Sequence, residues 1–258
     1  MSPSPDGADI EPERTAEGAT TGTIRLAALG DLHVGENISH PYRELFARIS
    51  READILALCG DLTNFGKTPE AEILAEDLNA CAIPVVGVLG NHDYECGQPQ
   101  EVARILHQAG VKLLDGEAYE IEGIGFAGGK GFIGGYGRNM LSAFGEPAIK
   151  AFVQAAVDEN LKLETSLRML KTARTVVVLH YSPIAETLEG EPPEIFPFLG
   201  SARMGETIDR FDGVRCVLHG HAHSGVYEGR TPGGVPVYNV ARPVLKRRFD
   251  AEFALFDI

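Results

Sequence analysis

The chain lacks an apolar run long enough to span a membrane, which takes about 20 consecutive apolar residues. Its first 23 residues also lack the apolar centre of a secretory signal peptide, and they are rich in Pro, Ser, Gly, Glu and Asp. We therefore expect a disordered N-terminal tail over residues 1–23, a single domain over residues 24–258 and no membrane association.

Cysteines are scarce, and none of the four forms a CxxC motif; they are Cys59, Cys81, Cys96 and Cys216. A chain of 258 residues can bury a sufficient core without disulfides. We interpret these thiols as structural, small apolar groups, and the cytoplasm as the expected location.

Basic residues are also in deficit, with 23 Lys and Arg against 37 Asp and Glu and a formal net charge of −14. Binding along a nucleic-acid backbone needs clustered Lys and Arg, so a large nucleic-acid footprint is not expected. Small anionic substrates remain compatible with this charge, because bound metal ions would reverse its sign locally.

Strand-like apolar runs alternate with segments of helical spacing in the first half of the chain. The helical segments begin near Pro41, Thr68 and Pro99. Short strands dominate after Val111, interrupted by a long helical stretch over residues 146–171. This order predicts an α/β protein with a mainly parallel sheet followed by a second sheet.

Five of the apolar runs lead into residues that can bind a metal. These residues are Asp31 and His33, Asp61, Asn91 with His92 and Asp93, His180, and His219 with His221 and His223. Open α/β sheets place their sites at the carboxyl ends of strands, so we expect these side chains to converge. Oxygen and nitrogen donors without a thiolate favour Mn, Fe, Zn, Co or Ni. Two such dications beside two carboxylates would leave about +2 of charge, which favours a phosphate ester.

The motifs Asp31-x-His33, Gly60-Asp61, Gly90-Asn91-His92, His180 and Gly220-His221-x-His223 occur in this order. Together they resemble the signature of the calcineurin-like metallophosphoesterase superfamily. The resemblance implies two mixed β-sheets packed as a sandwich and flanked by helices.

The resemblance also implies two divalent or trivalent metal ions, with Mn or Fe favoured. The ligands of the first ion would be Asp31, His33, Asp61 and His223. The ligands of the second would be Asp61, Asn91, His180 and His221, so that Asp61 bridges the two. His92 would act as the catalytic group that protonates the leaving oxygen, and Asp93 would orient His92.

Differences from the patterns of individual branches narrow the choice of branch within the superfamily. Leu62-Thr63-Asn64 follows Asp61 where protein Ser/Thr phosphatases have a VDRG-type continuation, and Asn64 stands where purple acid phosphatases have a tyrosine ligand. Lipid-A-pathway hydrolases usually lack the histidine that is present here as His92. The remaining group comprises small bacterial phosphodiesterases, including cyclic-nucleotide ones, phosphatases and DNA-repair nucleases.

The expected function is dinuclear-metal-dependent hydrolysis of a small phosphodiester or phosphomonoester by in-line attack of a metal-activated hydroxide. The alternatives are a nuclease of the same superfamily and a non-catalytic metal-binding scaffold. Lys130, Tyr136 and Arg138 lie in or beside a Gly-rich stretch and are candidate substrate contacts. The segment over residues 186–199 is a candidate lid or partner-contact loop, and His219 is interpreted as structural.

Overall fold

The computed structural model describes residues 23–258, so the predicted disordered tail lies outside the described residues except for Thr23. The strands within this range are β1 (Arg25–Leu29), β2 (Ile55–Cys59), β3 (Val85–Val88), β4 (Val111–Leu113), β5 (Ala118–Ile121), β6 (Ile124–Gly129), β7 (Thr175–Leu179), β8 (Val214–His219), β9 (Glu228–Arg230), β10 (Pro236–Asn239) and β11 (Ala254–Asp257). The helices are α1 (Arg43–Glu52), α2 (Thr68–Leu78), α3 (Pro99–Gln108), α4 (Pro147–Met169), α5 (Phe196–Leu199), α6 (Ala202–Ile208) and α7 (Arg242–Phe249).

The strands form two mixed sheets. The first has the order β11-β1-β2-β3-β4, and the second has the order β5-β6-β7-β8-β10-β9. Strands β1 to β4 are parallel, as are β6, β7, β8 and β10, whereas β11, β5 and β9 pair antiparallel at edges. Strands such as β2, with all five residues buried, read as continuous apolar runs because both of their faces are covered.

The two sheets pack face to face. Leu26, Ile55 and Val86 of the first sheet share one buried cluster with Phe126 and Val176 of the second. A separate cluster packs α1, α2 and α3 on the outer face of the first sheet, and another packs α4 and α6 on the second. The predicted sandwich of two mixed sheets flanked by helices is therefore confirmed.

The carboxyl ends of the central strands meet at one edge of the sandwich. Strands β1, β2 and β3 are neighbours in the first sheet, and β7 and β8 are neighbours in the second. The backbone joins the two sheets there, because the Gly30 amide donates to the Val240 carbonyl at 2.9 Å and Gly30 bridges Ala241. This junction brings the ends of all five strands to a common position.

Some elements differ from the sequence predictions. β9 begins only at Glu228, because the Val226 amide before it donates to the Thr187 carbonyl instead of pairing with β10. Helices α6 and α7 were not predicted. None of the described helices combines the length and the apolar character that crossing a membrane requires.

Candidate metal centre

The seven predicted ligand positions and His92 converge at this edge of the sandwich. The side chains form three sets. Within each set, every residue offers one donor atom, and these atoms lie within 4.8 Å of one another. The sets are Asp31 with His33 and His223; Asp61 with His180 and His221; and His33 with Asp61 and His92. Because Asp61 and His33 belong to more than one set, these residues form a continuous cluster.

The backbone at the centre is strained. Asp31, His33, Asp61 and His221 have φ angles of +61°, +47°, +49° and +70°, in the left-handed region that non-glycine residues rarely adopt. Each such residue costs on the order of 1–3 kcal/mol and persists where surrounding contacts determine it. Hydrogen bonds fix the turns, because the Asp31 amide donates to the Gly60 carbonyl and the His33 amide to the Asp61 carbonyl, both at 2.9 Å.

His180 is held as a metal-ligand histidine would be. Its Nδ1 lies 2.9 Å from the Cys59 carbonyl, which can only accept, so Nδ1 carries the proton. Complete burial lowers the pKa of His180 well below its usual value, so Nε2 is a lone-pair atom. That Nε2 lies 2.9 Å from Asn91 Oδ1 and 3.3 Å from Asp61 Oδ1, both acceptors. Three converging lone-pair atoms repel one another unless a cation lies between them.

His33 is a second indication of a cation. Both of its ring nitrogens are buried without a hydrogen-bond partner, and burial lowers its pKa to about 4. Its Nε2 lies 3.8 Å from Asp61 Oδ2. Buried polar atoms normally have partners, so a neutral imidazole orphaned beside a carboxylate fits a metal ligand.

Asp31 contacts two histidines of the loop that follows β8. Its carboxylate accepts from the His221 amide at 3.1 Å and contacts His223 Nε2 at 2.9 Å. Burial raises the pKa of Asp31 to about 6, although His223 opposes that shift. Burial likewise lowers the pKa of His221 to about 3, which leaves its imidazole neutral.

Glycines allow these loops to approach. A Cβ at Gly90 would lie 2.2 Å from the Asp61 amide nitrogen and from Asp61 Oδ1. A Cβ at Gly220 would lie 2.5 Å from Asp31 Oδ2, and one at Gly60 would meet the His180 ring at the same distance. Gly60, Gly90 and Gly220 are thus required by space.

His92 lies at the open side of the cluster. Its amide donates to Asp61 Oδ1 at 2.9 Å, and its Nδ1 lies 2.7 Å from the Asn64 carbonyl. Because the carbonyl accepts the Nδ1 proton, the lone pair of the neutral ring lies on Nε2, 3.9 Å from Asp61 Oδ2. The His92 side chain is 38% exposed, in contrast to the buried His180.

The position of Asp93 differs from the prediction that it orients His92. Its two oxygens accept from the amides of Leu62, Thr63 and Gly90 and from the Thr63 hydroxyl, at 2.6–3.2 Å. Asp93 therefore ties the loop after β2 to the loop after β3, while a backbone carbonyl orients His92. Burial raises the pKa of Asp93 to about 6.

The Lys130 side chain lies among aromatic rings. Its ammonium lies about 5 Å from the centroids of three rings, those of Tyr94, Phe132 and Tyr181. It also donates to the Gly131 carbonyl at 2.8 Å. Burial lowers the pKa of Lys130. Glu159 Oε2 also lies 3.9 Å from this ammonium, so the rings and one carboxylate surround the charge. The Tyr181 ring in turn packs against His221, with ring centroids 4.4 Å apart.

The other two predicted substrate contacts are placed differently from each other. The Tyr136 hydroxyl donates to the Ser182 carbonyl at 2.9 Å, and burial raises its pKa. Arg138 is exposed in the loop that follows. The Tyr136 hydroxyl is therefore engaged by the backbone of Ser182, whereas Arg138 is accessible to solvent.

The residue 186–199 segment reaches the centre through its backbone. It contains two short 3₁₀ turns and α5, and the Phe198 carbonyl lies 3.3 Å from His221 Nε2. Leu188 and Leu199 pack with Ala222 in a small buried cluster. This segment is thereby attached to the loop that carries His221.

His219 lies behind the cluster. It is fully buried, with Nε2 2.9 Å from the Thr187 hydroxyl and Nδ1 2.8 Å from the Gly220 carbonyl. These contacts agree with the structural interpretation. The backbone acceptors Cys59 and Asn64 were not among the predicted site residues, since no side-chain pattern identifies a carbonyl.

Comparison with known proteins gives the family. Residues 24–225 match the calcineurin-like phosphoesterase family. No curated protein matches the sequence. Solved structures of similar fold include phosphopantetheinyl hydrolase (PptH) from Mycobacterium tuberculosis, at 18% identity, 90% coverage of this chain, 95% of that chain and a TM-score of 0.65.

Two further structures share the fold. The protein TT1561 of Thermus thermophilus has 14% identity, covers 92% of this chain and 99% of its own, and gives a TM-score of 0.53. The purple acid phosphatase PPD1 from yellow lupin (Lupinus luteus) seeds has 12% identity and a TM-score of 0.53. The match covers 86% of this chain and 44% of the phosphatase chain.

The chain belongs to the calcineurin-like phosphoesterase family. It is a metal-dependent hydrolase of phosphoesters, and the family implies a dinuclear metal centre. The donor set fits such a centre, because orphaned nitrogens and facing lone pairs surround Asp61.

Proposed function

We propose that this protein hydrolyses small phosphodiesters at a dinuclear centre bridged by Asp61. The observation that carries the proposal is the position of the Asp61 carboxylate. Its Oδ1 faces His180 Nε2 at 3.3 Å, while its Oδ2 faces His33 Nε2 at 3.8 Å. The two oxygens thus face different sets of donors, which suits a carboxylate that bridges two ions.

The proposed ligands divide between the two sheets. The first ion would be held by Asp31, His33, Asp61 and His223, and the second by Asp61, Asn91, His180 and His221. Bound metal ions would supply an activated water molecule and stabilise the charge on the phosphoryl oxygens. The nitrogen and oxygen donors suit Mn or Fe among the metals considered.

His92 is the proposed proton donor to the leaving oxygen. The Asn64 carbonyl holds the Nδ1 proton and leaves Nε2 on the side of the Asp61 carboxylate. The side chain is partly exposed, so it can reach a substrate and exchange protons with solvent. General acid catalysis of this kind contributes roughly 10²–10⁴-fold to a rate.

A preference for diesters over monoesters follows from the charges near the site. Burial is the main cause of the lowered pKa values of His180 and His33, and Lys130 and Arg242 are cationic side chains close enough to add to it. Lys130 lies among aromatic rings, and Arg242 lies over the Tyr42 ring, 4.8 Å from its centroid. With these cations engaged, the monoanion of a diester is easier to accommodate than the dianion of a monoester.

The test is a panel of esters on metal-loaded protein. With Mn²⁺ added, we expect turnover of bis-p-nitrophenyl phosphate to exceed that of p-nitrophenyl phosphate, and a single-stranded oligonucleotide to stay intact. Cleavage of the oligonucleotide would favour the nuclease alternative, which the net charge of −14 argues against. Absence of turnover for every ester with Mn, Fe, Zn, Co and Ni would leave only the scaffold alternative.

A further inference from the structure

Two exposed phenylalanines lie beside the candidate centre. Phe65 directly follows Asn64, whose carbonyl lies 2.7 Å from His92 Nδ1. The carbonyl of Phe198 itself lies 3.3 Å from His221 Nε2. The two residues are 49% and 56% exposed. Large apolar side chains are therefore presented to solvent next to two histidines of the site.

Both residues are attached to ordered backbone. The Cys96 amide donates to the Phe65 carbonyl at 3.1 Å, which ties the Phe65 loop to the turn that carries His92. The Gly134 amide donates to the Pro197 carbonyl at 2.9 Å and so fixes the backbone before Phe198. The backbone that carries the two side chains is thus held at a defined position beside the centre. Exposed apolar surface of this kind commonly marks a binding site.

We propose that Phe65 and Phe198 form an apolar rim that binds the organic group of the phosphoester, so that aromatic ester groups are preferred. The inference rests on the proposed function, because the centre would anchor the phosphoryl group within reach of both residues. In a phosphodiester, the organic groups are bonded to two oxygens of the phosphate itself. The occupant of the rim is therefore an aryl or similarly apolar ester group, not a polyanion.

A pair of diesters with the same leaving group tests this specificity. For p-nitrophenyl phenyl phosphate and p-nitrophenyl methyl phosphate, p-nitrophenolate release depends on the second ester group alone. We expect wild-type kcat/KM to be about tenfold higher for the phenyl ester, the lower range of discrimination by apolar contacts. Phe65→Ala or Phe198→Ala should reduce this ratio to about threefold or less.

Phe249→Ala is the matched control. Phe249 is 50% exposed, similar to the two rim residues, but it lies on α7 and packs edge-on against Tyr227 with ring centroids 4.8 Å apart. This variant should keep the wild-type ratio. An equal loss in all three variants would overturn the proposal, because it would indicate a general effect of removing exposed aromatic surface.

Equilibrium binding separates failure of the rim from failure of the proposed function. Calorimetric Kd values for phenylphosphonate and methylphosphonate on metal-loaded protein need no turnover. We expect about tenfold tighter binding of phenylphosphonate by wild type, and a smaller ratio in the rim variants. Equal binding of the two phosphonates would overturn the rim even if esters are hydrolysed. A preserved ratio without hydrolysis of any ester would support the rim and refute the catalytic proposal.

Discussion

At the residue scale, the histidines of the cluster occupy different environments. His180 is buried, with one nitrogen on a carbonyl and the other toward acidic and amide oxygens. His92 is partly exposed, and its Nε2 lies 3.9 Å from the nearer carboxylate oxygen of Asp61. A metal ligand needs a fixed lone pair, whereas a proton donor needs access to substrate and solvent. This contrast assigns the roles that we propose.

The proposed role of His92 predicts the behaviour of His92→Ala. We expect two metal ions per chain by elemental analysis, and a fall in kcat of about 10²–10⁴-fold. The loss should be larger for an alkyl leaving group than for p-nitrophenolate, because the better leaving group needs less protonation. His107→Ala is the control, since His107 Nδ1 contacts only the Val111 carbonyl among the described bonds of its side chain. Loss of one metal in His92→Ala would show that His92 is a ligand.

The sequence motifs predict which side chains meet, but not the backbone that holds them. Asp31 and Asp61 follow apolar runs in ordered motifs, so their convergence could be predicted. Their positive φ angles could not, since nothing in a short motif distinguishes a strained turn from a relaxed one. The orientation of His92 by the Asn64 carbonyl was missed for a related reason, because a carbonyl acceptor depends on tertiary structure.

At the element scale, the site depends on how closely the loops after β2 and β3 approach. Asp93 joins these loops through amides of both, and Gly90 provides the space between them. A side chain at position 90 would meet backbone and carboxylate atoms of Asp61, which cannot move without displacing β2. The Asp93 hydrogen bonds thus keep the two loops together, and the close contact at Gly90 sets how near they can lie.

Gly90→Ala should therefore separate these loops. Overpacking against backbone costs about 1–3 kcal/mol, so we expect a lower Tm together with weaker metal binding. Gly35→Ala is a control for the change in residue type, because a Cβ at Gly35 meets nothing within 4 Å and its φ is not positive. If Gly90→Ala retains wild-type Tm and metal content, the close approach of the loops is not required.

Elements with strong periodicity were predictable, and short elements were not. Helices α2 and α3 begin at the predicted Thr68 and Pro99. Helix α7 was missed because its eight residues bury only Val244 and Leu245. It nevertheless supports the site, since Arg247 donates to the His223 carbonyl at 2.9 Å.

At the scale of the whole molecule, the proposed metal ligands connect the two sheets. Asp31, His33, Asp61 and Asn91 follow strands of the first sheet, and His180, His221 and His223 end or follow strands of the second. An ion that binds only the folded chain stabilises it by about 2.7 kcal/mol when present at 100 times its Kd. For a chain of this size, that corresponds to a Tm increase of roughly 5–11 °C.

This metal-dependent increase should shrink on acidification. Asp31 must be ionised to bind, and its pKa of about 6 leaves it almost fully ionised at pH 7.5 but only about one-tenth ionised at pH 5. His33 and His221 have pKa values lowered to about 4 and about 3, so they stay neutral and able to bind at pH 5. Metal affinity should thus fall by about tenfold through Asp31 alone. Protonation of His223, whose pKa is raised by its hydrogen bond to Asp31, adds to this loss. At fixed metal concentration the stabilisation should therefore fall by at least about half.

Differential scanning calorimetry with Mn²⁺ or with chelator, at both pH values, measures this difference. Comparing each pair at one pH removes the pH dependence of the metal-free protein. Asp31→Asn is the matched variant, because its amide oxygen can bind a metal weakly but does not titrate. Its metal-dependent Tm increase should be smaller and should change less between pH 7.5 and pH 5. A wild-type increase of equal size at both pH values would contradict the assignment of Asp31 as a metal ligand.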